Sequence, residues 1–163
     1  QIKPDLKKVG TVWCTSETCS EACVRLARKK CAELGIELLE MSVENTTQIL
    51  EAAMSLTSRG VEALWVGGDN VVEAAIDQMI NAAAKARIPL IINNTNSVYG
   101  NTLFGLGAKY TEVGYLAGQM AADVLEGKPT SEIGIRNMVP LHLLVNPDAL
   151  NNIHDKWKLP EEL

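Results

Sequence analysis

The chain is expected to form an α/β domain, a doubly wound parallel sheet with helices on both faces, and three observations lead there. Short apolar runs rich in β-branched residues alternate with longer stretches whose apolar positions repeat every 3.6 residues. Connections between them are short, as in strands joined by crossover helices. The third observation is Ala63-Leu64-Trp65-Val66-Gly67-Gly68-Asp69-Asn70. Here an apolar strand runs into glycines and polar residues, and an alanine-rich helix pattern follows directly. In open α/β sheets, ligands collect at the carboxyl ends of strands, where loop side chains converge.

At 163 residues the chain is long enough for one substantial core. Hydrophobic residues make up 47% and charged ones 21%, which suits a folded domain. No apolar run approaches the roughly 20 residues needed to cross a bilayer. The N-terminus has no apolar h-region, so no signal peptide is expected within the chain. The formal charge of −5 argues against a general nucleic-acid binder. The one dense basic run, Arg25 to Lys30, falls on a helix pattern and reads as a solvated face.

Residues 9–13 form the expected first strand, and Cys14 to Glu17 its exit loop. Thr18 and Glu21 have capping-box spacing for a helix through Leu34, closed by Gly35. That helix is expected to bury Ala22 and Leu26 with Cys19, Cys23 and Ala27. Residues 36–43 read as a strand with enough polar positions for a sheet edge. Asn45 and Gln48 then open a helix with one apolar face, Ile49, Ala52, Ala53 and Leu56, which ends at Gly60.

The third strand, 63–66, leads to a helix over about 71–86. Residues 88–92 form the fourth strand, with Pro89 tolerated near its start. Its exit loop, Asn93-Asn94-Thr95-Asn96-Ser97, is dense in short hydrogen-bonding side chains. A fifth strand over 103–107 precedes a helix over about 111–125, apolar at Val113, Leu116, Ala117, Met120, Ala121 and Val124. Gly114 and Gly118 on it read as a close-packing seam. Beyond Gly127 the pattern weakens: residues 133–135 and 142–146 are candidate strands, followed by a short helix near 147–154 and an amphipathic end.

Cys14, Cys19, Cys23 and Cys31 do not have the paired spacing of a structural zinc site. Buried or half-buried thiols are the leading reading, with a disulfide and a metal site as alternatives. Were there a disulfide, Cys14 would be a better partner than a helical i, i+4 pair.

Enzyme chemistry has little support. His142 and His154, the only histidines, lie in the tail, and there is no G-x-S-x-G elbow or phosphate-binding glycine motif. Trp13-Cys14-Thr15-Ser16 follows the first strand in place of a dinucleotide fingerprint. No catalytic residue, cofactor or metal is expected. The strand ends instead carry Ser16, Asp69, Asn70, Asn94, Thr95, Asn96 and Ser97, a set suited to ligand recognition. If Asn70 caps the following helix with Glu73 as its box partner, Asp69 is free to face outward and pair with a ligand ammonium. Helix-end amides and hydroxyls near Ser16 would take a carboxylate, so the site would favour a zwitterion. A plain turn acid is the alternative for Asp69, and capping alone for Asn70.

Residues 9–17, residues 63–72, and Gly105 to Gly114 with Gly127-Lys128-Pro129 together resemble the extracytoplasmic solute-binding proteins of ABC transporters. They look most like the branch associated with tryptophan and other aromatic amino acids, and the tail 143–159 is similar to that family's C-terminal signature. The resemblance implies one lobe of a type I periplasmic-binding-protein-like fold, with residues 8–132 as the second-lobe core. Residues 133–163 would be a crossover and tail supporting a first lobe absent from this chain. By the same resemblance Ser16 matches the family's serine after this lobe's first strand, Asp69 and Asn70 its Asp-Asn after the third, and residues 94–97 its ligand-facing loop. Cys14-Thr15 stand where Asn-Pro is common, and Asn93-Asn94 where a Gly-Asp pair is usual.

The implied function is capture of an amino acid or similar small solute, with a membrane permease as partner and no nucleic acid. The implied location is periplasmic or extracytoplasmic, with a lipid-anchored precursor compatible with it. A ligand-sensing regulatory domain or a small enzyme on the same architecture is the competing expectation.

Overall fold

The computed structural model describes residues 2–134 and 139–160. Strands β1 (Lys8–Cys14), β2 (Glu37–Val43), β3 (Ala63–Val66), β4 (Leu90–Ile92), β5 (Thr102–Ala108) and β6 (Leu141–Val145) form one sheet in the order β2-β1-β3-β4-β5-β6. The first five are parallel, and β2 lies at the edge as its polar pattern predicts. Helices are α1 (Thr18–Leu34), α2 (Ile49–Ser58), α3 (Asn70–Glu73), α4 (Ile76–Ala86) and α5 (Tyr110–Leu125).

Side-chain alternation along the strands separates two cores. Leu64, Val66, Leu90 and Ile92 face α2 and α4 and pack with Ile49, Leu56 and Met79. Ala63 and Ile91, the alternate positions, face the other side, where Leu103, Ala149, Ile153 and Trp157 gather with Ile2 and Leu6. On that same side α1 lies over β1 and β2: the Arg28 guanidinium sits 5.8 Å from the Trp13 ring and donates to both Glu40 oxygens at 2.7 Å.

Several expectations need correction. The last strand, β6, runs antiparallel to β5. Leu141, the first residue of β6, pairs with Ala108, the last of β5, and Lys109 N–H donates to Pro140 O, so β6 begins where β5 ends and runs the opposite way. Residues 133–135 were expected as a strand; Ile133 and Gly134 follow a 3-10 turn at Thr130–Glu132 outside any strand, and Ile135 lies outside the described residues.

The helix expected over 71–86 is two, α3 and α4, separated at Ala74 and Ala75. On α1 the buried residues are Ser20 and Val24, while Leu26 is 64% exposed and Cys19 is exposed as well. Gly35 closes α1 in the left-handed conformation as predicted, with φ 68°.

Tail residues Ala149, Ile153 and Trp157 are buried in this domain's own second core. Within the expected core span, α5 has no buried side chain: Tyr110, Tyr115 and Leu125 are 71%, 69% and 89% exposed. A Cβ on Gly114 or Gly118 would meet nothing within 4 Å, so neither forms a packing seam among the described residues.

Candidate functional site at the carboxyl ends of the strands

Parallel pairing places the ends of β1, β3 and β4, at Cys14, Val66 and Ile92, along one rim of the sheet. Three loops leave that rim: residues 15–17, 67–69 and 93–94. Gly67 is buried beneath α1, where a Cβ would stand 3.1 Å from Cys23 Cβ and 3.2 Å from the Trp65 ring. Its missing side chain lets α1 approach the β3 end closely.

Asp69 does not face outward. It is 2% exposed and is itself the N-cap of α3, with Oδ1 accepting from Val72 N–H at 2.9 Å. Oδ2 accepts from Cys14 N–H at 2.7 Å and from the Ser20 hydroxyl at 2.6 Å. Asp69 has the extended backbone of an N-cap, whereas Asn70 lies inside the helix. The expectation of an Asn70–Glu73 capping box is thereby overturned.

Asn70 is exposed and uses its amide differently, donating from Nδ2 to Glu17 Oε2 at 3.2 Å. One turn on, Glu73 Oε2 accepts from Asn94 Nδ2 at 2.8 Å. Asn94 is held in that orientation because its Oδ1 accepts from Asn96 N–H at 2.8 Å, capping the 3-10 turn Thr95–Ser97. Side chains of Thr95, Asn96 and Ser97 have no hydrogen bond among the described residues and are available to solvent or ligand. Ser16 is exposed, its Oγ 3.1 Å from the Cys14 thiol.

The three loops are thus tied to one another: Glu17 to Asn70 and Glu73 to Asn94 at the surface, with Asp69 spanning β1, α1 and α3 beneath. Ser16, Asn70 and residues 94–97 belong to this rim, and Asp69 underlies it. Sequence reasoning did not single out Glu17, Glu73 as a partner of Asn94, or Ser20. Glu73 was visible only as a cap candidate, and Ser20 had no signal beyond its place in the first turn of α1.

Electrostatically, residues 14–17, 67–73 and 93–98 contain Glu17, Asp69 and Glu73 and no lysine or arginine. Such a wall offers hydrogen-bond acceptors and negative charge, suited to ammonium, hydroxyl or amide donors. It has no cationic side chain for a ligand carboxylate. The cysteines are free thiols: Cys14 buried, Cys19 exposed, Cys23 and Cys31 half-buried. Partial burial, and then the Glu17 carboxylate beside it, push the Cys19 thiol above its ordinary value.

The family model described as "ABC transporter substrate binding protein" matches residues 1–161. The chain belongs to that family. It is a family of substrate-binding proteins and not of enzymes. A tyrosine-binding protein of Clostridioides difficile (strain R20291) is 28% identical over 158 residues, covering 97% of this chain and 45% of the relative. A conserved domain protein from Vibrio cholerae superposes with a TM-score of 0.84 at 25% identity, over 98% of this chain and 53% of that one. An ABC domain from Streptococcus pneumonia in complex with L-Trp shares the fold, with a TM-score of 0.82 at 20% identity over 98% and 53% of the two chains. The chain therefore spans about half the length of these similar proteins, and the fold is that of type I periplasmic-binding-like proteins.

Proposed function

We propose that this substrate-binding domain forms one wall of a ligand cleft in an ABC uptake system, and that the ligand is an amino acid, with aromatic ones favoured. The observation that carries this reading is the rim itself: neutral hydrogen bonders and carboxylates, tied across three loops, in a chain that belongs to a substrate-binding family. The tyrosine-binding relative and the L-Trp complex support the ligand class. Ser16, Asn70, Asn94, Thr95, Asn96 and Ser97 face the ligand, with Glu17 and Glu73 supplying negative charge for its ammonium group.

A second lobe closes the cleft and provides the groups that take the ligand carboxylate. The unburied apolar side chains of α5 pack against that lobe. Hinge closure then presents the loaded protein to a membrane permease on the extracytoplasmic side.

A domain with one wall of the cleft binds weakly, because many contacts of the closed state are missing. Protein-observed NMR with millimolar L-tyrosine and L-tryptophan, and with ribose as a control, tests the reading. The expected result is a saturable shift of amides at residues 14–17, 67–73 and 93–97 with the amino acids and none with ribose. Shifts with ribose alone, or none at these loops with either amino acid, overturn it.

A further inference from the structure

We infer that Asp69 is a positioning residue, one that governs ligand binding without touching the ligand. The inference rests on the proposed amino-acid site. A carboxylate meant for a ligand ammonium needs an open oxygen, and at 2% exposure Asp69 has none presented to solvent. Its three donors come from three separate elements: Cys14 N–H at the end of β1, the Ser20 hydroxyl in the first turn of α1, and Val72 N–H in α3. These elements carry the surface rim. Cys14 is two residues from Ser16, Ser20 three from Glu17, and Val72 stands between Asn70 and Glu73 on α3.

A single buried acceptor group therefore sets the spacing between the β1–α1 loop and α3, and with it the geometry of the Glu17–Asn70 bridge. Ser20 belongs to the same device. Its hydroxyl is buried at 2% exposure and makes its hydrogen bond to Asp69 Oδ2. Charge matters as well as shape. In Asp69→Asn the Ser20 hydroxyl can turn to accept from the new amide, whereas Cys14 N–H can only donate and is left facing another donor.

The test uses this chain, with L-tyrosine and the neutral des-amino analogue 3-(4-hydroxyphenyl)propionamide as NMR probes. Asp69→Asn is expected to weaken both compounds by the same factor, roughly five- to tenfold for the loss of a charge-assisted buried acceptor. Ser20→Ala weakens both by about threefold, as expected for loss of one hydrogen bond, and Ser20→Thr, which keeps the hydroxyl, restores binding. A loss in Asp69→Asn confined to tyrosine would make Asp69 a direct ammonium contact and overturn the inference. Folded Asp69→Asn and Ser20→Ala that bind both compounds like the wild type would reduce Asp69 to a helix cap, with the same consequence.

A ligand-free readout separates this inference from the function it rests on. Hydrogen exchange at residues 14–17 and 70–73 is expected to speed up in Ser20→Ala and not in Ser20→Thr. If exchange at these residues is the same in both, the positioning role fails even where tyrosine binds. If exchange changes as expected but no amino acid binds, the assignment of the site to amino acids fails and the brace itself stands.

Discussion

The backbone of Asn93 lies against the Cα of Gly107, close enough that a Cβ on residue 107 would collide with the Asn93 carbonyl. The neighbouring inward position is as tight: a Cβ on Gly105 would stand 2.8 Å from Asn94 O and 2.7 Å from Val98 Cγ2. The polar loop after β4 thus crosses β5 over two glycines, and its height above the sheet is set there.

Gly107→Ala is consequently expected to lift the 93–94 segment, loosen the Asn94–Glu73 hydrogen bond and destabilise the domain by about 1–3 kcal/mol, as overpacking does. Urea unfolding measures the loss, and the Asn94 side-chain amide resonance reports the broken contact. Retention of both wild-type stability and that resonance would show that the loop does not depend on the glycine.

Removing the Asp69 carboxylate altogether leaves Cys14 N–H, Val72 N–H and the Ser20 hydroxyl without their acceptor. Asp69→Ala is expected to lower unfolding stability by about 3 kcal/mol, combining loss of a helix cap with stranded buried donors. Asn70→Ala, which removes an exposed bridge to Glu17, should change stability by less than about 1 kcal/mol. Chemical denaturation of the two variants distinguishes them directly.

The tail is part of the folded unit. Trp157 is 8% exposed in the second core with Ala63, Leu103 and Ile153. Trp157→Ala is expected to cost about 3–5 kcal/mol, and truncation after Asn146 to leave that face of the sheet uncovered and the chain prone to aggregation. Calorimetry of the first variant and gel filtration of the second check this. A monomeric truncated chain with unchanged melting behaviour would refute it.

Alkylation of Cys19 should be slow at neutral pH. Because partial burial and then Glu17 raise the Cys19 pKa, less thiolate is present at any given pH than in a free cysteine. The pH profile for alkylation of Cys19 by iodoacetamide is expected to shift to higher pH than that of a model thiol, and Glu17→Gln to move it part of the way back. Burial pushes the Cys31 thiol up in the same sense, and Cys14, 0% exposed, should react only on unfolding. Mass spectrometry of the native protein resolves the sites.

The base of α5 is pH-sensitive in one direction. A hydrogen bond from Lys109, and then one with His142 of β6 at 3.0 Å, hold the Glu112 carboxyl below its ordinary value. A folded-state pKa below the unfolded one contributes stability above the unfolded value and loses it as pH falls through the folded value. Amide protection in the first turn of α5 is therefore expected to decline only as pH falls below the ordinary glutamate range, and Glu112→Gln to remove that dependence. With both side chains more than a third exposed, the effect should be local and weakened by salt.

Periodicity made the order of elements, the parallel strands β1 to β5 and the edge position of β2 legible from the residues alone. Each rests on local chemistry: β-branched runs that favour extended backbone, apolar repeats of 3.6, and Gly35 where a left-handed residue must end a helix. The rim at the carboxyl ends of the strands was legible as a place, because strand ends followed by polar loops identify it in any parallel sheet.

What each side chain does at that rim was decided only by tertiary packing. Asp69 and Asn70 are adjacent and chemically similar, and no local rule says which one caps α3. The choice is made by Cys14 N–H and Ser20, 55 and 49 residues away, which offer donors to a carboxylate at position 69. The direction of β6 and the open face of α5 are of the same kind. Residues 110–125 have a good amphipathic pattern, yet a pattern says only that a face needs burial, and the sheet of this chain does not supply the surface that buries it.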